Sequence, residues 1–231
     1  MIRMAPEGRP FVLTGAVLTG LAAAGGALIP ESSPLLRNGL LGTAAVFGLL
    51  TAFTLFFFRN PVRRRRDGDG LVLAPADGRI IQITPLDDPT LYVHPATRIS
   101  IFLSVFNVHI QRAPITGRVE LRSSKPGGYA VAWKSKASED NEQATLGIAA
   151  GPHRIMVRQI AGLVARRIVT DPQEGDLVPQ GSRIGIIRFG SRVDLFIPQG
   201  WELTCRVGDR TKGGLTGMAR VPGRPGEGER A

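Results

Sequence analysis

Two long apolar stretches open the chain, and short alternating runs fill the rest. Phe11 to Ile29 and Leu40 to Phe58 contain no charged residue. Each approaches the ~20 residues that cross a bilayer core of about 30 Å. Pro30-Glu31-Ser32-Ser33-Pro34 and Arg37-Asn38-Gly39 supply turn and polar signals between them. The pattern predicts an N-terminal hydrophobic helical hairpin, either crossing the bilayer or dipping into one leaflet. Gly20, Ala22, Ala23, Ala24, Gly25 and Gly26 permit close helix packing in both cases. A removable signal peptide fits less well, because a second apolar span follows at once and no clear small-residue cleavage site precedes an ordered domain.

From Leu71 the apolar runs become short and β-branched, separated by Gly, Pro and Asp. They predict strands over Gly78–Ile83, Leu91–Val93, Arg98–Leu103, Ile115–Arg122, Thr145–Ala149, Arg154–Gln159, Val164–Val169, Arg183–Phe189, Arg192–Ile197 and Trp201–Val207. Many short strands in about 150 residues indicate a mainly β domain, a barrel or sandwich with its own core. Glu174 to Gly181 and Val207 to Gly214 echo one another in the turn chemistry of biotinyl and lipoyl carrier folds. That echo supports a barrel-sandwich type of core, and no modifiable Met-Lys-Met-like tip accompanies it. The expected organisation is an anchoring hairpin with a basic flank over 1–66, a β domain over 67–220 and a disordered Gly-, Pro- and charge-rich tail over 221–231.

Charge refines this picture. The net charge of +10 raises the question of nucleic acid. Yet Arg59, Arg63, Arg64, Arg65 and Arg66 cluster directly after the second apolar run, and no basic, aromatic-interleaved platform occurs elsewhere. With Arg3 and Arg9 before the first run, the positive-inside tendency places both ends of the hairpin in the cytoplasm. The arginines at 63 to 66 would also attract anionic headgroups. The single Cys205 fits a reducing compartment and a small buried side chain. No Cys-x-x-Cys or His-x-x-x-His spacing points to a metal.

The chemistry centres on an oddly placed serine. Arg188-Phe189-Gly190-Ser191-Arg192-Val193-Asp194 reads as strand broken at Gly190-Ser191, whereas a hydrolase nucleophile elbow reads G-x-S-x-G and leads into a helix. A Gly inside a strand marks a bulge or a close backbone approach, so the Ser191 hydroxyl could lie beside the preceding carbonyl. His109 follows a strongly apolar run. Alone it reads as a core histidine, and Asp77 alone reads as an Asp-Gly turn. His94 and His153 sit in turn-like contexts and read as structural.

Four segments occur in one order: Ala74-Pro75-Ala76-Asp77-Gly78, Phe106-Asn107-Val108-His109 with Arg112-Ala113-Pro114, Lys136 to Glu142, and Phe189-Gly190-Ser191-Arg192-Val193-Asp194. Together with Gln159-Ile160-Ala161-Gly162 and Ala165-Arg166-Arg167-Ile168, they resemble the short bacterial and archaeal form of the phosphatidylserine decarboxylase proenzymes. The resemblance covers about residues 59 to 220. It implies a pyruvoyl-dependent lyase acting on phosphatidylserine at the cell membrane, with its catalytic domain on the cytoplasmic side. It also implies self-cleavage at Gly190-Ser191, with Ser191 as nucleophile, His109 as base and Asp77 as the acid orienting the imidazole. Ser191 would become the pyruvoyl group that forms a Schiff base with substrate, and chains 1–190 and 191–231 would remain together as a heterodimer. Oligomeric state beyond that, and the group that protonates the product, stay open. Phe106 departs from the longer bacterial members, which carry a histidine there. Glu139 to Glu142 would either shape the substrate pocket or form a solvated acidic loop. Two other readings remain: a membrane-anchored serine hydrolase with an Asp77/His109/Ser191 triad, and a non-enzymatic tethered β-barrel adaptor.

Overall fold

The structure is a computed structural model that describes residues 2–63, 70–127, 141–162, 168–188 and 191–223. It divides into two compact units, Met1–Val62 and Arg63–Ala231.

In the first unit, strand β1 (Ile2–Met4) precedes helices α1 (Arg9–Leu28) and α2 (Pro34–Phe57), and β2 (Arg59–Pro61) returns to pair antiparallel with β1. Both helices are long and apolar enough to cross a membrane. Leu13, Val17, Leu21, Leu35, Leu49 and Leu50 are exposed on them. Apolar surface on that scale is compatible with association with a membrane. Small residues set the helix contact: a Cβ on Gly15 would fall 2.2 Å from Thr51 Oγ1. α2 begins earlier than the turn signals suggested, because Pro34 sits in its first turn, where a missing N–H costs nothing. Arg37-Asn38-Gly39 is therefore helical, with Arg37 paired to Glu31 at 3.1 Å.

The second unit is mainly β, as its sequence predicts. Its strands are β3 (Leu71–Leu73), β4 (Gly78–Leu86), β5 (Ala96–Leu103), β6 (Ile110–Arg112), β7 (Gly117–Lys125), β8 (Gln143–Ala150) and β9 (His153–Ala161). They continue with β10 (Ile168–Thr170), β11 (Leu177–Val178), β12 (Arg183–Ile187), β13 (Ser191–Pro198), β14 (Arg210–Thr211) and β15 (Gly217–Arg220). An antiparallel sheet in the order β11-β7-β8-β9-β13-β5-β4-β14 curls over β10-β12-β6 and β15-β3. Ile99, Ile101, Leu146, Ile148, Val157, Val193, Leu195 and Ile184 fill the core.

Two of these neighbourhoods repeat within the chain. Ala74-Pro75-Ala76-Asp77-Gly78-Arg79-Ile80 and Ala113-Pro114-Ile115-Thr116-Gly117-Arg118-Val119 each start a long strand, and each is capped by one of the echoing turns. Leu73 N donates to Pro114 O while Arg112 N donates to Pro75 O, both at 2.8 Å. Ile80 N and Gly208 exchange bonds with Asp209 O and Ile80 O, as Val119 and Gly175 do with Asp176 and Val119. Arg79 Nε donates to Gly208 O, and Arg118 Nη1 donates to Gly175 O. A Cβ on Gly78 would lie 2.2 Å from Phe102 O, and one on Gly117 would lie 2.3 Å from Ala149 O. Only glycine allows either strand to approach so closely. The carrier-like echo is thus half of a pseudo-twofold scaffold.

Two expected strands do not form. Leu91–Val93 lies in a turn where Leu91 N donates to Asp88 O and Thr90 donates to the Asp88 carboxylate. Its apolar side chains instead cover the sheet over Met156 and Phe196. Trp201–Val207 makes a single bridge, Leu203 to Ala219. Asp209 accepts from Arg206 N at 2.9 Å, and this local side-chain acceptor competes with a ladder. Phe189, residues 163–167 and the tail from 224 onward lie outside the described residues.

Candidate active site

One row across the sheet leads from the neighbour of Asp77 to Ser191. Arg79 pairs with Phe102, so Gly78 falls beside Leu103, and Leu103 pairs with Ser191. Ser191 pairs on its other side with Ala161, whose N–H donates to Glu142 O at 3.0 Å. Thr211 pairs with Gly78 at the far edge. Strands spaced ~4.8 Å apart put Gly78 and Ser191 about 10 Å apart in this row. His109 arrives differently. It precedes β6, where Ile110 pairs with Ile186. One further step in that register sets His109 opposite Ile187, four residues before Ser191. Gly190, the other half of the expected cleavage site, lies outside the described residues.

Ser191 begins β13 and is fully buried. Its Oγ has no hydrogen-bond partner among the described residues. Burying an unsatisfied hydroxyl costs about 1–3 kcal/mol, so a structural role does not explain it.

His109 is also fully buried. Its Nδ1 lies 3.0 Å from Asn107 O. A carbonyl only accepts, so Nδ1 carries the proton and Nε2 is the basic nitrogen. The loop that holds this ring is itself fixed: Asn107 Oδ1 accepts from Ser104 N and Oγ at 2.9 and 2.8 Å. Behind it, Gln111 Nε2 donates to His109 O (2.8 Å), Gln159 Nε2 donates to Gln111 Oε1 (2.9 Å), and Thr170 Oγ1 donates to Gln159 Oε1 (2.9 Å).

Asp77 is buried, but its carboxylate is held by other partners. Arg63 Nη1 and Nη2 donate to Oδ1 and Oδ2 at 2.5 and 2.7 Å, and Gly213 N donates to Oδ1 at 2.8 Å. The His109 ring is not among the donors to Asp77 among the described residues. Arg112 lies near the same pair. Burial, then the neighbouring Arg63 charge, holds its guanidinium below the usual value, and Asp77 opposes the shift. Arg63 is therefore not a headgroup-facing cation, since its side chain is 8% exposed against Asp77. Arg64, Arg65 and Arg66 lie outside the described residues.

Sequence reasoning missed several contributors: Arg63 as the partner of Asp77, the Gln111–Gln159–Thr170 chain, and the roles of Arg192 and Asp194. Val193, Leu195 and Ile197 do alternate with Arg192, Asp194 and Phe196, but both faces of β13 are buried. Arg192 donates to Asp194 at 2.6 and 2.8 Å and to Ser100 Oγ at 3.0 Å. Of the acidic segment, 136–140 lies outside the described residues, whereas Asn141 is buried and donates to Ala161 O at 2.6 Å. His94 faces Asp87 at 3.6 Å, and His153 packs edge-on against Trp201. Cys205 is half-buried against Met218 O. Among the described residues no group of His, Cys, Asp and Glu is placed to hold a metal ion.

A cleft of about 720 Å³ opens at the Asp77 end of this row, lined by Asp77, Phe102, Ser104, Asn107, Arg210 and Lys212 among others.

Known proteins share this sequence pattern. The sequence model for phosphatidylserine decarboxylase matches residues 50–219. A phosphatidylserine decarboxylase proenzyme of Symbiobacterium thermophilum is 42% identical over 220 residues, covering 95% of this chain and 96% of its own. One from Salinibacter ruber is 46% identical over 191 residues, covering 81% and 83%. One from Saccharopolyspora erythraea is 42% identical over 222 residues, covering 94% and 88%.

Proposed function

This chain belongs to the phosphatidylserine decarboxylase family of carboxy-lyases, and we propose that it cleaves itself at Gly190-Ser191 and then decarboxylates phosphatidylserine to phosphatidylethanolamine. The observation that carries this reading is the buried Ser191 Oγ, which has no hydrogen-bond partner among the described residues. A hydroxyl that is consumed once has no need of a lasting hydrogen bond.

His109 Nε2 takes the Ser191 hydroxyl proton, and Oγ adds to the Gly190 carbonyl. The Gly190–Ser191 C–N bond breaks as the nitrogen gains the proton, leaving an ester through Oγ. Removal of the Ser191 Cα proton then expels the Gly190 carboxylate from Cβ. The resulting dehydroalanine tautomerises to an imine, which takes up water and releases ammonia to leave a ketone at position 191. Asn107 O holds the proton on Nδ1, which leaves Nε2 to act as the base, and the glutamine chain fixes the backbone carbonyl of His109. Asp77 is assigned to stabilise the imidazolium form of His109, which requires Arg63 to release one arm of its grip.

The pyruvoyl carbonyl at 191 supplies the electron sink for the electrons left when carbon dioxide departs. Buried on a strand inside the sheet, residue 191 is shielded from water. A diacyl substrate stays in the bilayer, so we assign the helical hairpin as the anchor and place the β unit on the cytoplasmic side, consistent with the basic flank. The two fragments, 1–190 and 191–231, remain associated because β13 is paired on both edges, with β5 and β9.

Intact-protein mass spectrometry of active protein tests this directly. Two chains, the smaller starting at a blocked residue 191, are expected. Active protein that contains only the full-length chain would refute the proposal. Ser191→Ala and His109→Ala are expected to leave the chain intact. A Ser191→Ala chain that still releases carbon dioxide from phosphatidylserine would also overturn it.

A further inference from the structure

The internal repeat provides its own control for deciding which residues near Asp77 serve the scaffold. Positions that match between the two copies are Gly78 with Gly117, Arg79 with Arg118, Gly208 with Gly175, Asp209 with Asp176 and Gly214 with Gly181. These make the same contacts in both copies. Gly213 N donates to Asp77 Oδ1 just as Gln180 N donates to Thr116 Oγ1. Arg79 therefore belongs to the scaffold, since Arg118 clips the equivalent turn.

Where the copies differ, the Asp77 copy has gained charge. Arg210 stands where the other copy has Leu177, and Lys212 where it has Pro179. Both are exposed and line the cleft beside Asp77. Arg210 is also paired in register directly opposite Arg79, whereas Leu177 faces Arg118. Like charges directly opposite on paired strands are destabilising. The scaffold works without that repulsion in one copy, so folding does not call for it in the other. The carboxylate of Asp77 does not offset these cations, because Arg63 already holds both its oxygens. Phe102, Ser104 and Asn107 complete the wall of the cleft; Asn107 O also holds His109 Nδ1 at 3.0 Å, and Leu103, between Phe102 and Ser104, pairs with Ser191.

We propose that Arg210 and Lys212 form an anion site for the phosphodiester of the lipid whose serine carboxylate is lost. This rests on the decarboxylase reading and deepens it. The two cations hold the headgroup phosphate at the mouth of the cleft, and the serine end reaches past Asn107 and over the end of the sheet, where β5 stops and β13 starts, toward residue 191. Guanidinium and ammonium groups suit this task, one by paired N–H donors and the other as a point charge.

The test uses the full-length, self-cleaved chain and phosphatidylserine in mixed micelles of a neutral detergent, with vesicles of phosphatidylglycerol as a second arm. Arg210→Leu and Lys212→Gln bring each site toward the uncharged copy. Each is expected to raise KM for phosphatidylserine about tenfold, the scale of one charged hydrogen bond, with kcat within about twofold. Arg210→Lys should recover most of the loss, and Arg118→Leu should leave KM unchanged. If KM in neutral micelles is unchanged while binding to phosphatidylglycerol vesicles falls, the cations read the bilayer surface and the proposal is wrong. Variants that fail to self-cleave would also overturn it, by assigning the cleft to processing. Wild-type chain that neither cleaves nor releases carbon dioxide would instead sink the decarboxylase reading.

Discussion

Replacing Gln159 with leucine probes the buried support behind His109. Gln159 is 1% exposed and Gln111 is fully buried. Leucine at 159 removes the 2.9 Å bond to Gln111 Oε1 and the 2.9 Å bond from Thr170. Thr170 is half-buried and can turn to water, but Gln111 Oε1 loses its Gln159 donor in the core. A net hydrogen bond is worth about 0.5–1.5 kcal/mol and an unsatisfied buried acceptor costs about 1–3 kcal/mol. The expected loss is about 2–4 kcal/mol. At about 2–4 °C per kcal/mol for a domain of this size, Tm falls by roughly 4–16 °C. The measurement is a near-UV circular dichroism melt in detergent on a Ser191→Ala background, so that cleavage does not mix two species. Gln111→Leu alone takes the donor from His109 O and strands Gln159 Nε2. The double substitution removes the mutual orphans, so its loss should fall short of the sum of the singles by about 1–3 kcal/mol. A Gln159→Leu melt within 2 °C of its parent, or strict additivity of the pair, would refute a connected network.

Three further outcomes are expected. Arg192→Met leaves Asp194 charged and buried, costing about 3–5 kcal/mol by urea or thermal unfolding; adding Asp194→Leu should restore much of it, and a double variant no better than the single counts against the pair. Gly78→Ala and Gly117→Ala each force a carbonyl away from a new Cβ and should lose about 1–3 kcal/mol alike; only Gly78→Ala should also slow lipid turnover, and equal turnover in both would deny the copies different duties. Burial, with Asp209 nearby, pushes the Cys205 thiol up to about 11. Its alkylation by iodoacetamide should therefore be slow at pH 8 and rise only as pH approaches that value; rapid labelling at pH 8 of folded protein would contradict the packing.

The helical hairpin was legible because two continuous apolar runs of about bilayer-spanning length, separated by turn residues, need no long-range partner to be recognised. Most of the long strands were legible too, since β4, β5, β8, β9 and β13 are runs of apolar and β-branched residues eight or nine long. Leu91–Val93 and Trp201–Val207 misled for one reason: side chains such as Val93, Trp201 and Leu203 do pack, but local acceptors such as Asp88 and Asp209 take backbone donors. Short strands such as β6, β11 and β14 have two or three residues, too few to show a period. The repeat was half visible in the turn echo, but its other half appears only once Leu73 and Arg112 are seen to exchange bonds with Pro114 and Pro75.

The resemblance carried by four segments in one order marked Ser191, His109 and Asp77 as the candidates, whereas His109 and Asp77 by themselves read as a core histidine and a turn. Pairing decided the rest. Register, a long-range property, set Ser191 between Leu103 and Ala161 and paired Ile110, the residue after His109, with Ile186. Packing turned Arg63 from a flank residue into the partner of Asp77 and left Ser191 Oγ buried without a bond among the described residues. A sequence specifies which groups are present, and only the closed sheet fixes which polar groups share a dry interior, where an unpaired hydroxyl is costly enough to carry meaning.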